Sequence, residues 1–317
     1  MQRFIDSISS PLLFVLVLVS CASRGDFPVL EGPYLGQNPP GLTPEVFAPG
    51  IISMAGRYEG GATFSQDGQL FIYKRFYREK PDPEEIWLSE LQDGRWTPPF
   101  RPSFDGEYGD WDFHFAPFGR RFYFTSRRPA VLQGATARPS NIWVTERVPS
   151  GWTEPRLLEY PVNTVDSYSG FPSLTRDSTI YFHSERDDGF GEVDIYRARR
   201  ADGKYLTAEP LPPPVNTEYR EFDPCIAPDE SYLLFISNRP VDNGPEYDTF
   251  ITFRSADDSW SEPQGLWNTL GYAGLPNITP DGQLFFFVGG QPDSSQTADI
   301  YWVDTRIFDQ FRPEPRP

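Results

Sequence analysis

Five acids stand at fixed places in a phrase that the chain repeats. Glu59, Asp110 and Glu221 lie six positions ahead of a polar turn, and Asp112 and Asp223 follow two positions after Asp110 and Glu221. The equivalent places in the other copies hold Ser169 and Ala273 in the first set, and Gly61, Phe171 and Leu275 in the second. Tyr58, Tyr168 and Tyr272 each stand one residue ahead of the first set. Convergent carboxylates raise one another's pKa or recruit a cation. At suitable separation, two of them can serve as acid and base in glycoside hydrolysis. The architectural alternative is that acids entering a strand cap turns and accept backbone N–H groups. Glu59, Asp110, Asp112, Glu221, Asp223, Tyr58, Tyr168 and Tyr272 are therefore candidates for ligand binding at a Tyr-flanked acidic mouth, with no catalytic residue assigned.

Other chemistry-bearing residues point nowhere as clearly. His114 and His183 are the only two histidines and fall in different strands of adjacent copies, so no metal site is expected. The chain has no Gly-x-Ser-x-Gly elbow, His-Glu-x-x-His pair or phosphate loop, and no cofactor is expected. Asp187 to Glu192 is acidic and Gly-rich; it reads as a solvated loop, with weak calcium binding as the alternative.

The elements that position these residues follow from the turns, which begin at 65, 116, 175, 227 and 279, an interval of about 50 residues. Before each turn a short strand ends in Phe64, Phe115, Leu174, Ile226 or Ile278. After it comes an aromatic strand, apolar on both faces, such as Phe122-Tyr123-Phe124 or Phe285-Phe286-Phe287. A third strand opens at Glu85-Ile86-Trp87, Asn141-Ile142-Trp143, Asp194-Ile195-Tyr196, Asp248-Thr249-Phe250 and Asp299-Ile300-Tyr301. A fourth element, an aromatic followed by a Pro turn, is missing from the last copy, and residues 42–47 match its start. These features predict an all-β fold: a β-propeller of five four-stranded blades, with an N-terminal strand closing the last blade and leaving no free edge. Six blades is the alternative, should the preceding segment fold back as a partial blade.

The phrase made of Pro280-Asp281-Gly282, an aromatic strand, Phe-x-Ser-x-Arg and Asp-Ile-Tyr resembles the WD40-like repeat of TolB-type propellers. Its matches are Phe124-Thr125-Ser126-Arg127-Arg128, Phe182-His183-Ser184-Glu185-Arg186 and Phe235-Ile236-Ser237-Asn238-Arg239. The likeness spans nearly the whole chain after its first 40 residues and implies the propeller fold. TolB-type proteins as a family usually carry six blades and a further α/β domain, which the repeat count here does not supply. Arg128, Arg186 and Arg239 are expected to pair with acids opening the third strand, such as Asp194 and Asp248.

Pro11 to Val19 is an apolar run too short to cross about 30 Å of hydrocarbon, but suited to a secretory signal. Leu18-Val19-Ser20-Cys21 resembles the bacterial lipobox, which implies lipidation at Cys21. Residues 1–20 then read as a signal peptide, 21–41 as a tether and 42–317 as the propeller. Lipidated Cys21 leaves Cys225 without a disulfide partner, as a small buried hydrophobe. A net charge of −17, from 45 acids and 28 bases, opposes binding to nucleic acid or anionic lipid. The expected protein is a monomeric, lipid-anchored envelope protein whose propeller binds a protein or glycan partner. The alternatives are a carbohydrate-active enzyme using the mouth acids and, by family analogy, a TolB-like scaffold.

Overall fold

The turns fold as the residue types require. Asp67, Asp177, Asp229 and Asp281 each accept, through Oδ1, the backbone N–H two residues on, at 3.0–3.1 Å, and Ser65, Thr175 and Thr279 donate their hydroxyls to the same carboxylates. These side-chain turns reverse the chain between the first and second strand of four copies. In the remaining copy Gly119, at φ 70°, makes the reversal beside Phe118.

The computed structural model describes residues 27–77, 84–241, 244–271, 273–289 and 298–314. Blade 1 is built from Tyr58–Phe64, Leu70–Phe76, Glu84–Gln92 and Arg95–Trp96. Blade 2 takes Asp110–Phe115, Arg121–Ser126 and Asn141–Val148, with two short outer strands, Gly151–Trp152 and Arg156–Leu157, against the third. Blade 3 is Ser169–Leu174, Ile180–Ser184, Asp194–Ala201 and Lys204–Pro210. Blade 4 is Glu221–Ile226, Tyr232–Ser237, Asp248–Phe253 and Gln264–Gly265. Blade 5 takes Gly274–Ile278, Leu284–Gly289 and Asp299–Asp304, and its fourth strand is Glu45–Val46.

The ring therefore closes where the sequence predicts. Glu45 lies opposite Trp302 and Val46 opposite Tyr301, and the Phe47 N–H donates to the Ile300 carbonyl at 2.7 Å. Five apolar clusters fill the spaces between neighbouring blades. Phe47, Phe71, Phe286 and Trp302 join blades 5 and 1, and Cys225, Tyr232, Phe285 and Phe287 join blades 4 and 5. The aromatic second strands supply one side chain to each neighbour in alternation, which is why they read as apolar on both faces. Cys225 is buried in its cluster, which pushes its thiol up to about 12.

The structure differs from expectation over the tether. In its described part, Leu35 is buried, Tyr34 packs on Phe64 and Trp302, and Trp96 donates to the carbonyls of Leu30 and Gly32. Apolar residues among the Gly and Pro lay this segment against blades 1 and 5 rather than leaving it free. The signal segment, Cys21 and Tyr272 lie outside the described residues. Among the described residues, no helix is long and apolar enough to cross a membrane.

Candidate functional site

The innermost strands contact one another in a closed cycle around the axis, and each breaks its register once, between Gly60/Thr63, Trp111/Phe113, Gly170/Ser173, Phe222/Cys225 and Gly274/Asn277. Such a bulge inserts an extra residue, bends the strand and re-aims its side chains. The inserted residues are Gly61, Asp112, Phe171, Asp223 and Leu275, all with φ between 45° and 52°. This left-handed backbone disfavours Phe and Leu, and Asp tolerates it better. Gly61 leaves space over which the Lys74 stem lies, 3.8 Å from where a Cβ would stand.

Lys74, on the second strand of blade 1, sends its ammonium to the axis. Its Nζ donates to Glu84 Oε2 at 3.1 Å and approaches Asp112 Oδ1 of blade 2 at 3.5 Å. Asp223 of blade 4, not adjacent to blade 1 in the ring, interacts electrostatically with Lys74, Asp112 and Glu84. Burial raises the Asp112 carboxyl against the opposing pull of Lys74. It raises Asp223 further, with the Asp112 charge adding to the effect. His183 on blade 3 accepts the Asp223 N–H through Nδ1 at 3.0 Å, and burial pushes its pKa down to about 3, so the ring is neutral.

The remaining acids occupy separate environments. Asp110 is fully buried and holds both guanidinium nitrogens of Arg128 in a bidentate pair. Glu221, equally buried, accepts from Arg239, Ser237, the Thr217 hydroxyl and the Thr217 N–H. In blades 2 and 4 the arginine of the repeated phrase thus pairs with the acid of its own innermost strand, correcting the expected third-strand pairing. Asp194 instead accepts from the Phe190 and Gly191 N–H groups, which draws the acidic 187–192 loop over it. Each arginine also reaches the connector from the preceding blade: Arg128 to the Phe104 carbonyl, Arg186 to Pro161 and Val162, Arg239 to Pro214 and Val215. Ser169 replaces the acid in blade 3, so among the described residues Arg186 donates to carbonyls alone. Blade 1 has Tyr77 where the arginine would stand, and among the described residues Glu59 receives the Met54 N–H alone, at 3.4 Å. Burial raises Glu59 to about 7, though Arg75 and Arg57 pull it down.

Asp112 and Asp223 are therefore brought together on the axis, while Glu59, Asp110 and Glu221 lie behind it. Tyr168 stands beside the axial acids, edge-on to His183 at 5.3 Å, whereas Tyr58 packs on Phe76 at 5.4 Å. Other aromatics complete the rim: Trp111, covered by Arg127, and Phe222, edge-on to Tyr247. His114 is buried elsewhere, its pKa lowered to about 4 by desolvation, with Nε2 unpartnered among the described residues. No group of metal-ligating side chains forms among the described residues. The sequence reasoning missed Lys74, Glu84 and Trp111. A lysine closing the apolar run Leu70-Phe71-Ile72-Tyr73 was the available signal for the first.

The arrangement defines a β-propeller whose axis is crossed by charged groups from three blades. No protein family and no curated protein matches the chain. Among solved structures, a putative TolB from Agrobacterium tumefaciens is similar at 18% identity over 78% of each chain, with a TM-score of 0.48. TolB from Acinetobacter baumannii is similar at 14% identity, covering 78% of this chain and 55% of that one, with a TM-score of 0.45. The present chain thus spans just over half the length of that structure. A Bacillus subtilis arabinanase is similar at 11% identity, covering 83% of this chain and 99% of that one, with a TM-score of 0.49. At these identities the likeness is one of fold alone.

Proposed function

We propose that the protein is a lipid-anchored cell-envelope binding module, held through Cys21, whose axial mouth receives a protein or glycan partner without catalysis. The observation that carries this reading is the Lys74 ammonium placed between Glu84 and Asp112. An ammonium there neutralises carboxylates that a hydrolase would need as a free acid and base. The aromatic rim of Trp111, Tyr168, Phe222 and Tyr247 supplies flat apolar faces beside polar groups, a combination suited to sugars and to protein side chains. The test is partner capture from envelope extract together with a glycan array, comparing wild type with a Trp111→Ala, Tyr168→Ala double variant. Capture lost in the double variant is expected; capture unchanged would remove the mouth as the contact site.

A second reading, a carbohydrate-active enzyme, is favoured by one observation. Asp112 and Asp223 both have raised pKa values within one cluster, as a general acid requires. Turnover on a broad glycan panel, abolished by Asp112→Asn or Asp223→Asn, would establish it in place of the first reading.

A further inference from the structure

Beside the axis, between blades 4 and 5, a cavity of about 260 Å³ opens against Asp223. At ~30 Å³ per water it has room for about eight waters, enough for a small organic group. Its walls are mostly apolar: Phe222, Ile236, Tyr247 and Leu275, with the Asp248 carboxylate, which accepts the Thr249 N–H, at one side. Phe222 and Tyr247 meet edge to face, with ring centroids 5.7 Å apart.

The Asp223 carboxylate is the unusual element of this cavity. The residue is 8% exposed, and burial together with the Asp112 charge raises its carboxyl well above the usual range, against the pull of Lys74. His183 Nδ1 lies 3.5 Å from Oδ1, but that nitrogen already accepts the N–H of Asp223 and has no proton to give. The Lys74 ammonium is engaged by Glu84 and Asp112. A carboxylate held away from most of its water beside a second carboxylate is costly to ionise, and a cation placed against it reduces the cost.

We infer that this cavity binds an alkylammonium group, with Asp223 as counter-ion and the faces of Phe222 and Tyr247 around the cationic carbons. The inference deepens the binding-module reading and rests on it: the ammonium belongs to a free amine or to a lysine side chain of the partner. Aromatic faces attract such cations, most strongly where water is excluded. A neutral sugar leaves the carboxylate uncompensated, and an anion is repelled by Asp223, Asp112, Glu84 and Asp248. The net charge of −17 favours approach of a cation.

Calorimetric titration of the full chain in mild detergent tests this, using n-butylammonium, tetramethylammonium and an acetylated lysine amide, with n-pentanol as neutral control. Saturable binding of an ammonium and none of the alcohol is expected, with affinity reduced at least about tenfold in Asp223→Asn. Should that variant not fold, Tyr247→Leu keeps the wall apolar but removes the aromatic face, and weakens binding several-fold. Burial and the Asp112 charge raise the Asp223 carboxyl above the usual carboxylate range. Because the ionised form is the one that pairs with a cation, ammonium affinity should increase as pH rises. Butylammonium binding without lysine amide binding assigns a small-molecule amine, and the reverse assigns a partner side chain. Absence of saturable ammonium binding, equal binding of pentanol, or undiminished binding by Asp223→Asn overturns the inference. If envelope capture through the mouth persists in that case, the binding-module reading stands alone.

Discussion

The Lys74 ammonium on blade 1 and the Asp112 carboxylate on blade 2 meet at 3.5 Å, joining two blades across the mouth of the channel. Both side chains are almost wholly buried, so neither charge is cheaply exchanged for water. Lys74→Met should therefore destabilise the propeller by about 3–5 kcal/mol at pH 8, because Asp112 and Glu84 lose their cation. The sign of the pH effect follows from the Asp112 carboxyl, whose folded pKa burial already raises. In the variant it rises further, so the folded state binds more protons than the unfolded one and regains stability as pH falls. Denaturant curves at pH 8 and pH 5 should show the deficit shrinking at the lower value. An equal deficit at both would mean that packing, not charge, is lost.

The arginines of the repeated phrase allow a comparison within one chain. Arg128 and Arg239 each join a fully buried carboxylate and a connector carbonyl, whereas among the described residues Arg186 donates to carbonyls alone. Replacing Arg128 or Arg239 by Met strands a buried charge and should cost about 3–5 kcal/mol. Arg186→Met leaves the Pro161 carbonyl without its donor, while the Val162 carbonyl keeps the Ser169 hydroxyl, and should cost about 1–3 kcal/mol. Urea unfolding of the three variants ranks them, and a cost for Arg186→Met matching the others would contradict the assigned roles.

How far the sequence could be read depends on which residues are asked. The Asp-centred turns and residues 42–47 were legible because their signals are local: side-chain turn chemistry, and one missing strand. The axial cluster was not. Asp110 and Asp112 stand two apart, which in a regular strand would put them on one face. The bulge at Asp112 breaks that rule, sending Asp110 to Arg128 and Asp112 to Lys74. The same separation divides Glu221 from Asp223. A bulge has no firm sequence signal where Asp, Phe and Leu occupy the strained position. One repeated signal went unread: Pro161-Val162-Asn163-Thr164 recurs as Pro214-Val215-Asn216-Thr217. Each Asn pairs with both backbone groups of the preceding third strand's Ile, Asn163 with Ile142 and Asn216 with Ile195, pinning the connector that the arginine also holds.

Glu59 gives a pH dependence of its own. Burial raises its carboxyl from 4.5 to about 7, because blade 1 lacks the arginine that neutralises the equivalent acid in blades 2 and 4. Between these values the folded state holds a proton that the unfolded chain has lost, so stability declines as pH rises from about 4.5 to about 7. Glu59→Gln removes that decline and should be more stable than wild type at pH 8, by about 1 kcal/mol after solvent screening. Melting temperatures from pH 4 to pH 8 should converge at the acid end and separate above pH 7. Parallel curves would show that Glu59 titrates normally.

Ring closure makes the strongest stability prediction. Phe47 follows a two-residue strand, yet its ring is fully buried, with centroid distances of 4.7 Å to Phe71, 5.0 Å to Trp302 and 5.3 Å to Phe286. Those partners belong to blades 1 and 5, so one side chain fills the seam where the two ends of the ring meet. Phe47→Ala should cost about 3–5 kcal/mol, the usual loss for a buried phenylalanine. Phe308 offers the control: it is equally buried, but packs on Tyr232 and Phe285 at the seam between blades 4 and 5, which chain continuity already holds. Phe308→Ala should cost a similar amount in global unfolding. Amide hydrogen exchange separates the two, because opening at the closure exposes the edge of the strand Asp299–Asp304 without unfolding the other blades. Faster exchange confined to blades 1 and 5 is expected for Phe47→Ala and not for Phe308→Ala; the same pattern in both would mean that the seam is no weaker than any other junction of the ring.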